Sequence, residues 1–132
     1  MNDKVKDILA KLKKNNGADS VQLLGDTVGI EGIQRISTGC YSLDKAIGGG
    51  VPVGRIIEIF GPESSGKSTL CLEIIAQFQK QGKIVGYIDT EFSFDPMYAK
   101  ALGVDLDSII LAQPNSGEEA FNIALDMVEN GV

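Results

Sequence analysis

Gly61-Pro62-Glu63-Ser64-Ser65-Gly66-Lys67-Ser68 is the stretch on which the fold turns, and Thr69 follows it. It matches GxxxxGK[ST] at every fixed position. The spacing has a chemical logic. Glycines at both ends let the backbone wrap an anion with its N–H groups pointing inward, and a helix starting there adds the positive end of its dipole. The Lys67 ammonium then reaches the outer phosphates of a nucleotide as a point charge, and the Ser68 hydroxyl becomes a ligand for Mg²⁺. Gly61, Pro62, Glu63, Ser64, Ser65, Gly66, Lys67, Ser68 and Thr69 are therefore the expected phosphate-binding residues for ATP.

Such a loop needs a strand before it and a helix after it. Arg55-Ile56-Ile57-Glu58-Ile59-Phe60 reads as a buried strand, and residues 67–81 carry a helical pattern. The alternation continues with a strand at 83–89, a helix at 96–102, a strand at 108–112 and a helix at 117–129. Repeated βα units predict a mainly parallel, three-layer α/β sheet. The chain stops at Asn130-Gly131-Val132, where the alternation calls for another strand, so the sheet is expected to be incomplete and the sequence to be truncated.

In open α/β sheets ligands sit beyond the carboxyl ends of the strands. Asp89-Thr90-Glu91 lies at such an end, on the edge that also carries the glycine-rich loop. Glu91 is thus a candidate for facing the γ-phosphate and orienting an attacking water. A solvated carboxylate following a strand is the alternative for Glu91 on the residues alone.

Upstream, residues 3–14 place Val5, Ile8, Leu9 and Leu12 at helical spacing on a lysine-rich segment that Asn15-Asn16-Gly17 ends. So short a helix is marginal alone, so its stripe should pack on its own domain or on a neighbouring subunit. Residues 20–24 read as a short strand and 25–34 as loop, with glycines at 25, 29 and 32. Residues 15–34 act as a linker, which sets 1–34 apart from an ATPase-like core over 35–132. Residues 36–47 carry a helical pattern through Leu43, Ala46 and Ile47, closed by Gly48-Gly49-Gly50.

The 132 residues suit one folding unit, and 43% hydrophobic with 23% charged residues is ordinary for a globular protein. No run approaches a membrane span and the start does not resemble a signal peptide, so a cytoplasmic protein without a membrane partner is expected. Cys40 and Cys71, with no histidine anywhere, cannot form a zinc site and are expected as reduced packing residues. The net charge of −6 argues against a generic polyanion binder. Residues 1–14 hold five lysines against two aspartates, while 101–132 hold six acidic residues and no basic one. Any nucleic-acid surface must lie outside that last quarter.

The wording of these segments is more specific than the bare motif. Ile36-Ser37-Thr38-Gly39, Ser42-Leu43-Asp44 and Gly54-Arg55-Ile56 lead into the loop, and Asp89-Thr90-Glu91, Phe94-Asp95-Pro96, Tyr98-Ala99, Leu102-Gly103-Val104-Asp105 and Gln113-Pro114 follow it. Together they resemble bacterial RecA recombinases over residues 20–132. The resemblance implies a P-loop NTPase core, with Glu91 as the catalytic glutamate and Asp95 and Tyr98 contacting the adenine, Tyr98 by stacking. It also implies that the N-terminal segment mediates self-association by docking on the next subunit of a filament. A complete protein of this kind is a DNA-dependent ATPase that assembles on single-stranded DNA for recombination and repair. Phe92 and Ser93 stand where the family usually has histidine and alanine, and residues 48–53 are one residue shorter than in many members. The family's Walker B strand, DNA-binding loops and switch glutamine have no counterpart here, so the 132 residues alone are expected not to hydrolyse ATP. The alternative is a short nucleotide-binding or filament-capping module; a generic P-loop kinase finds no phosphoryl-acceptor pocket in the sequence.

Overall fold

A computed structural model describes residues 3–26 and 32–132. The chain divides into two compact units, Met1–Gln34 and Arg35–Val132.

In the first unit, α1 runs over Asp3–Asn16, two residues past its expected end. Asp3 in its first turn and Lys13 and Lys14 in its last complement the helix dipole. Val5, Ile8 and Leu12 of the apolar stripe are exposed. The strand expected at 20–24 does not form: residues 20–23 are irregular and Leu24–Asp26 is a 3₁₀ turn. A strand exists only through a ladder partner, and the first unit holds no strand among its described residues to supply one. Of the loop expected over 25–34, residues 27–31 lie outside the described residues.

The second unit opens with β1 (Arg35–Ile36), α2 (Tyr41–Ile47) and β2 (Val51–Pro52). β1 and β2 pair antiparallel, Ile36 opposite Val51. Gly50 permits this close return. Its φ is +118°, and an added Cβ would stand 2.1 Å from the Ile36 carbonyl oxygen. Asp44 of α2 reaches back to the segment after β1, accepting from the Thr38 N–H at 2.8 Å and the Thr38 hydroxyl at 2.7 Å. That accounts for a fully buried threonine.

α3 (Lys67–Lys80), β3 (Val85–Ile88), α4 (Pro96–Ala101), β4 (Ile109–Ala112) and α5 (Gly117–Glu129) follow. β3 and β4 pair in parallel, Val85 opposite Ile109 through Ile88 opposite Ala112. Leu72, Ile75 and Ala76 of α3 form the core with Ala99 and Val104, and Val85, Tyr87 and Ile109 pack against it. Gly86, between Val85 and Tyr87, backs onto Met127 of α5. Side chains alternate across a strand, so α3 and α5 cover opposite faces of the β3–β4 ribbon. Ser116 caps α5, its hydroxyl accepting from the Glu119 N–H at 3.2 Å, while Glu119 accepts from the Asn115 N–H at 2.8 Å.

The helix–sheet–helix layering agrees with the α/β expectation, but the sheet is smaller than expected. Residues 55–60 are not a strand. Ile56 is 103% and Phe60 86% exposed. β3 pairs only with β4, and β2 only with β1, so no described strand runs beside this apolar segment to accept its backbone hydrogen bonds. The regular structure is one parallel and one antiparallel pair, not a mainly parallel sheet.

Candidate functional site

The loop before α3 enters the helix through left-handed backbone. Gly66 is the N-cap at φ +89°, and Ser64 lies at φ +57°. The Leu70 N–H makes the first helical bond, to the Gly66 carbonyl at 2.9 Å. The N–H groups of Lys67, Ser68 and Thr69 precede that bond and have no intrahelical acceptor. Residues Ser64 to Thr69 line a pocket of about 220 Å³. The Lys67 ammonium bends back over the loop and donates to the Gly61 carbonyl at 3.1 Å and the Pro62 carbonyl at 2.9 Å. Glu63 and Ser65 are exposed on the same loop. Free amide donors, a helix N-terminus and a lysine resting on neutral carbonyls make a cradle that fits an anion, whose negative oxygens are stronger partners for Lys67 than the carbonyls are.

Ser68 lines a second, polar cleft of about 200 Å³ with Tyr87, Ile88, Asp89, Thr90, Glu91 and Ser93. Glu91 and the expected metal ligand Ser68 therefore share one cleft. Asp95 is the N-cap of α4: its Oδ1 accepts from the N–H groups of Met97 at 2.9 Å and Tyr98 at 3.1 Å, and Pro96 supplies the preset first helical turn. Tyr98, partly exposed in that first turn, places its hydroxyl 3.0 Å from the Thr69 hydroxyl. The cap thus aims Tyr98 at the first turn of α3. Oδ1 of Asp95 is engaged by this capping, and Oδ2 makes none of these bonds.

One residue of this region escaped the sequence reading as a candidate. Asp89, at the end of β3, is 4% exposed and collects the Phe94 N–H at 3.0 Å, the Gln113 side-chain amide at 3.2 Å and the Glu91 N–H at 3.3 Å. Burial acts to raise its pKa, but N–H donors from Phe94, Ser93 and Glu91 and the Gln113 amide outweigh it and hold the carboxyl below the usual value. The available signal was a lone carboxylate ending an apolar strand, where a buried charge requires donors. Tyr87 shifts the other way, raised by burial and then by the negative charge of Asp89.

The profile of the RecA N-terminal domain family matches residues 3–132. The chain belongs to that family. It is 52% identical over 128 residues to the protein RecA of Clostridium beijerinckii, covering 96% of this chain and 35% of the relative. Against the protein RecA of Mannheimia haemolytica it is 49% identical over 124 residues, or 93% of this chain and 33% of the relative. Against that of Thermotoga neapolitana it is 48% identical over 125 residues, or 94% and 36%. The chain thus spans about a third of the length of these RecA relatives. Among the described residues no helix is long and apolar enough to cross a membrane.

Proposed function

We propose that this chain is the nucleotide-binding part of a RecA-type recombination and repair protein, built on a P-loop NTPase core. The observation that carries the proposal is Ser68, which lines both the pocket of the glycine-rich loop and the cleft containing Glu91. A phosphate chain seated in the first pocket directs its terminal group toward the second.

In this arrangement the loop residues 61–66 and the first-turn amides of α3 hold the phosphates of ATP, and Lys67 exchanges its two carbonyl acceptors for phosphate oxygens. Mg²⁺ held by the Ser68 hydroxyl would neutralise charge on those oxygens. Glu91 orients a water at the γ-phosphate and takes its proton. Tyr98 stacks on the adenine and Asp95 contacts its edge. Thr69 holds the Tyr98 hydroxyl in place.

Residues 1–34 provide self-association through the apolar stripe of α1, and filament formation on single-stranded DNA belongs to a longer protein in the cytoplasm. The last 32 residues, acidic throughout their charged positions, do not supply the DNA surface. Titrating the chain with ATP, ADP and AMP in Mg²⁺ tests the phosphate assignment. Affinity should fall steeply once the β-phosphate is lost. Equal affinity for all three would mean that the nucleoside, not the loop, provides the binding.

A further inference from the structure

The turn that presents Glu91 is held from beneath. Asp89 sits at the carboxyl end of β3, almost completely buried, and its two oxygens divide the work: Oδ1 accepts from the Glu91 N–H, and Oδ2 from the Phe94 N–H and the Gln113 side chain. These donors come from two separate segments. Glu91 and Phe94 bracket the turn, whereas Gln113 follows β4, the neighbouring strand. The Asp89 N–H donates to the Ala112 carbonyl at 2.9 Å, so the ladder itself continues to the base of the turn. At the far end the Phe94 ring packs against Tyr87 of β3, with centroids 5.0 Å apart.

Between these anchors the backbone is forced. Phe92 adopts φ +54°, a left-handed conformation that a bulky residue avoids unless its surroundings impose it. Strain of this kind, beside an exposed carboxylate in a polar cleft, is what a positioned side chain requires; a carboxylate on a slack loop would point into solvent. A carboxylate accepting several N–H bonds makes charge-assisted contacts, each stronger than its neutral counterpart, and so clamps the turn firmly.

We propose that Asp89 is a positioning residue for Glu91, and that Gln113 joins the neighbouring strand to this clamp so that Glu91 is held toward the terminal phosphate of the bound nucleotide. The inference rests on the proposed nucleotide site. It assigns no contact between Asp89 and the ligand: Asp89, though it also lines the cleft, acts through the backbone of the turn, and Glu91 faces the phosphate.

A carboxylate held at the γ-phosphate repels it, so it penalises ATP relative to ADP, and this penalty is measurable by binding without hydrolysis. The ratio of ATP to ADP affinity, in Mg²⁺, is measured for the 132-residue chain and for Glu91→Gln, Asp89→Asn, Gln113→Leu and the double variants with Glu91→Gln. Glu91→Gln should raise the ratio about three- to tenfold, as expected for removing one negative charge at partly solvated distance. Asp89→Asn should raise it similarly, because one of the two acceptor oxygens becomes an NH2 donor facing N–H groups, the charge that strengthens the remaining bond is lost, and Glu91 is no longer held. Gln113→Leu, which alters no charge and lies outside the turn, should raise it in the same direction by less. Neither should add anything once residue 91 is glutamine.

An equal effect of Asp89→Asn in both backgrounds would show that its own charge acts on the nucleotide and would overturn the positioning role. So would an unchanged ratio in both Asp89→Asn and Gln113→Leu. If Glu91→Gln itself leaves the ratio unchanged while binding still depends on Lys67, the placement of Glu91 fails and the positioning role with it, but the phosphate site stands. Loss of Lys67 dependence marks failure of the nucleotide site itself. Should Asp89→Asn fail to fold, Gln113→Leu decides the matter alone.

Discussion

The hydroxyls of Thr69 and Tyr98 meet at 3.0 Å across 29 positions of sequence. One stands in the first turn of α3, directly after the glycine-rich loop, and the other in the first turn of α4. The bond ties the aromatic ring proposed to stack on adenine to the helix proposed to hold phosphate. Tyr98→Phe removes the tie and keeps the ring, so ATP affinity should change little. Tyr98→Ala removes the stacking surface and should weaken ATP binding about tenfold. Equal losses in the two variants would assign the effect to the hydroxyl bond and not to stacking.

Gly50 is a requirement of the fold and not of the site. Its φ of +118° and the 2.1 Å approach to the Ile36 carbonyl oxygen leave no room for a side chain. Gly50→Ala should destabilise the chain by about 3 kcal/mol, through combined strain and displacement of the β1–β2 pair. Chemical denaturation checks this. A midpoint within error of the parent would mean that β1 and β2 separate freely.

Asp44 gives the fold a defined acid sensitivity. The Ser37 hydroxyl, then the Thr38 N–H and hydroxyl, hold its carboxyl below the ordinary value of 3.8. With the folded-state value depressed, the stabilisation is complete above the ordinary value and is lost as pH falls through the folded one. Asp44→Asn should therefore be less stable than the parent at neutral pH, and the gap should close as pH falls below about 4. A gap that stays constant down to acid pH would show that the carboxylate's charge contributes nothing.

Ile56 and Phe60 are exposed apolar residues on a segment with unpaired backbone, a combination that invites association. Ile56→Lys with Phe60→Ser should lower light scattering of the concentrated chain and leave its stability within about 0.5 kcal/mol. A large loss of stability would instead place both side chains in the core.

Local signals made much of this structure legible in the sequence. Gly66 and the run after it marked the start of α3, and the helices expected at 96–102 and 117–129 form as α4 and α5, whose caps at Asp95 and Ser116 the structure supplies. Residues 55–60 were misjudged because apolar composition reports burial, whereas a strand also needs a neighbour at ladder distance, and composition carries no information about that neighbour. Residues 20–24 failed for the same reason. The loop, Ser68 and Glu91 were readable as a motif and as a carboxylate beyond a strand end. The Thr69–Tyr98 contact and the burial of Asp89 were not, since both depend on how α4 and the end of β4 come to lie beside α3 and β3.

The central claim is that Lys67 and the glycine-rich loop bind the phosphates of ATP. Lys67 now rests on the carbonyls of Gly61 and Pro62, so its removal costs the empty loop little and the occupied loop much. Titration of a fluorescent ATP analogue in Mg²⁺ into the parent chain and into Lys67→Ala, with far-ultraviolet circular dichroism to verify folding, is the most direct measurement. The account predicts an affinity loss of about a hundredfold, the scale of one charge-assisted contact to phosphate and the attraction it anchors. An unchanged affinity in a folded Lys67→Ala chain would contradict it.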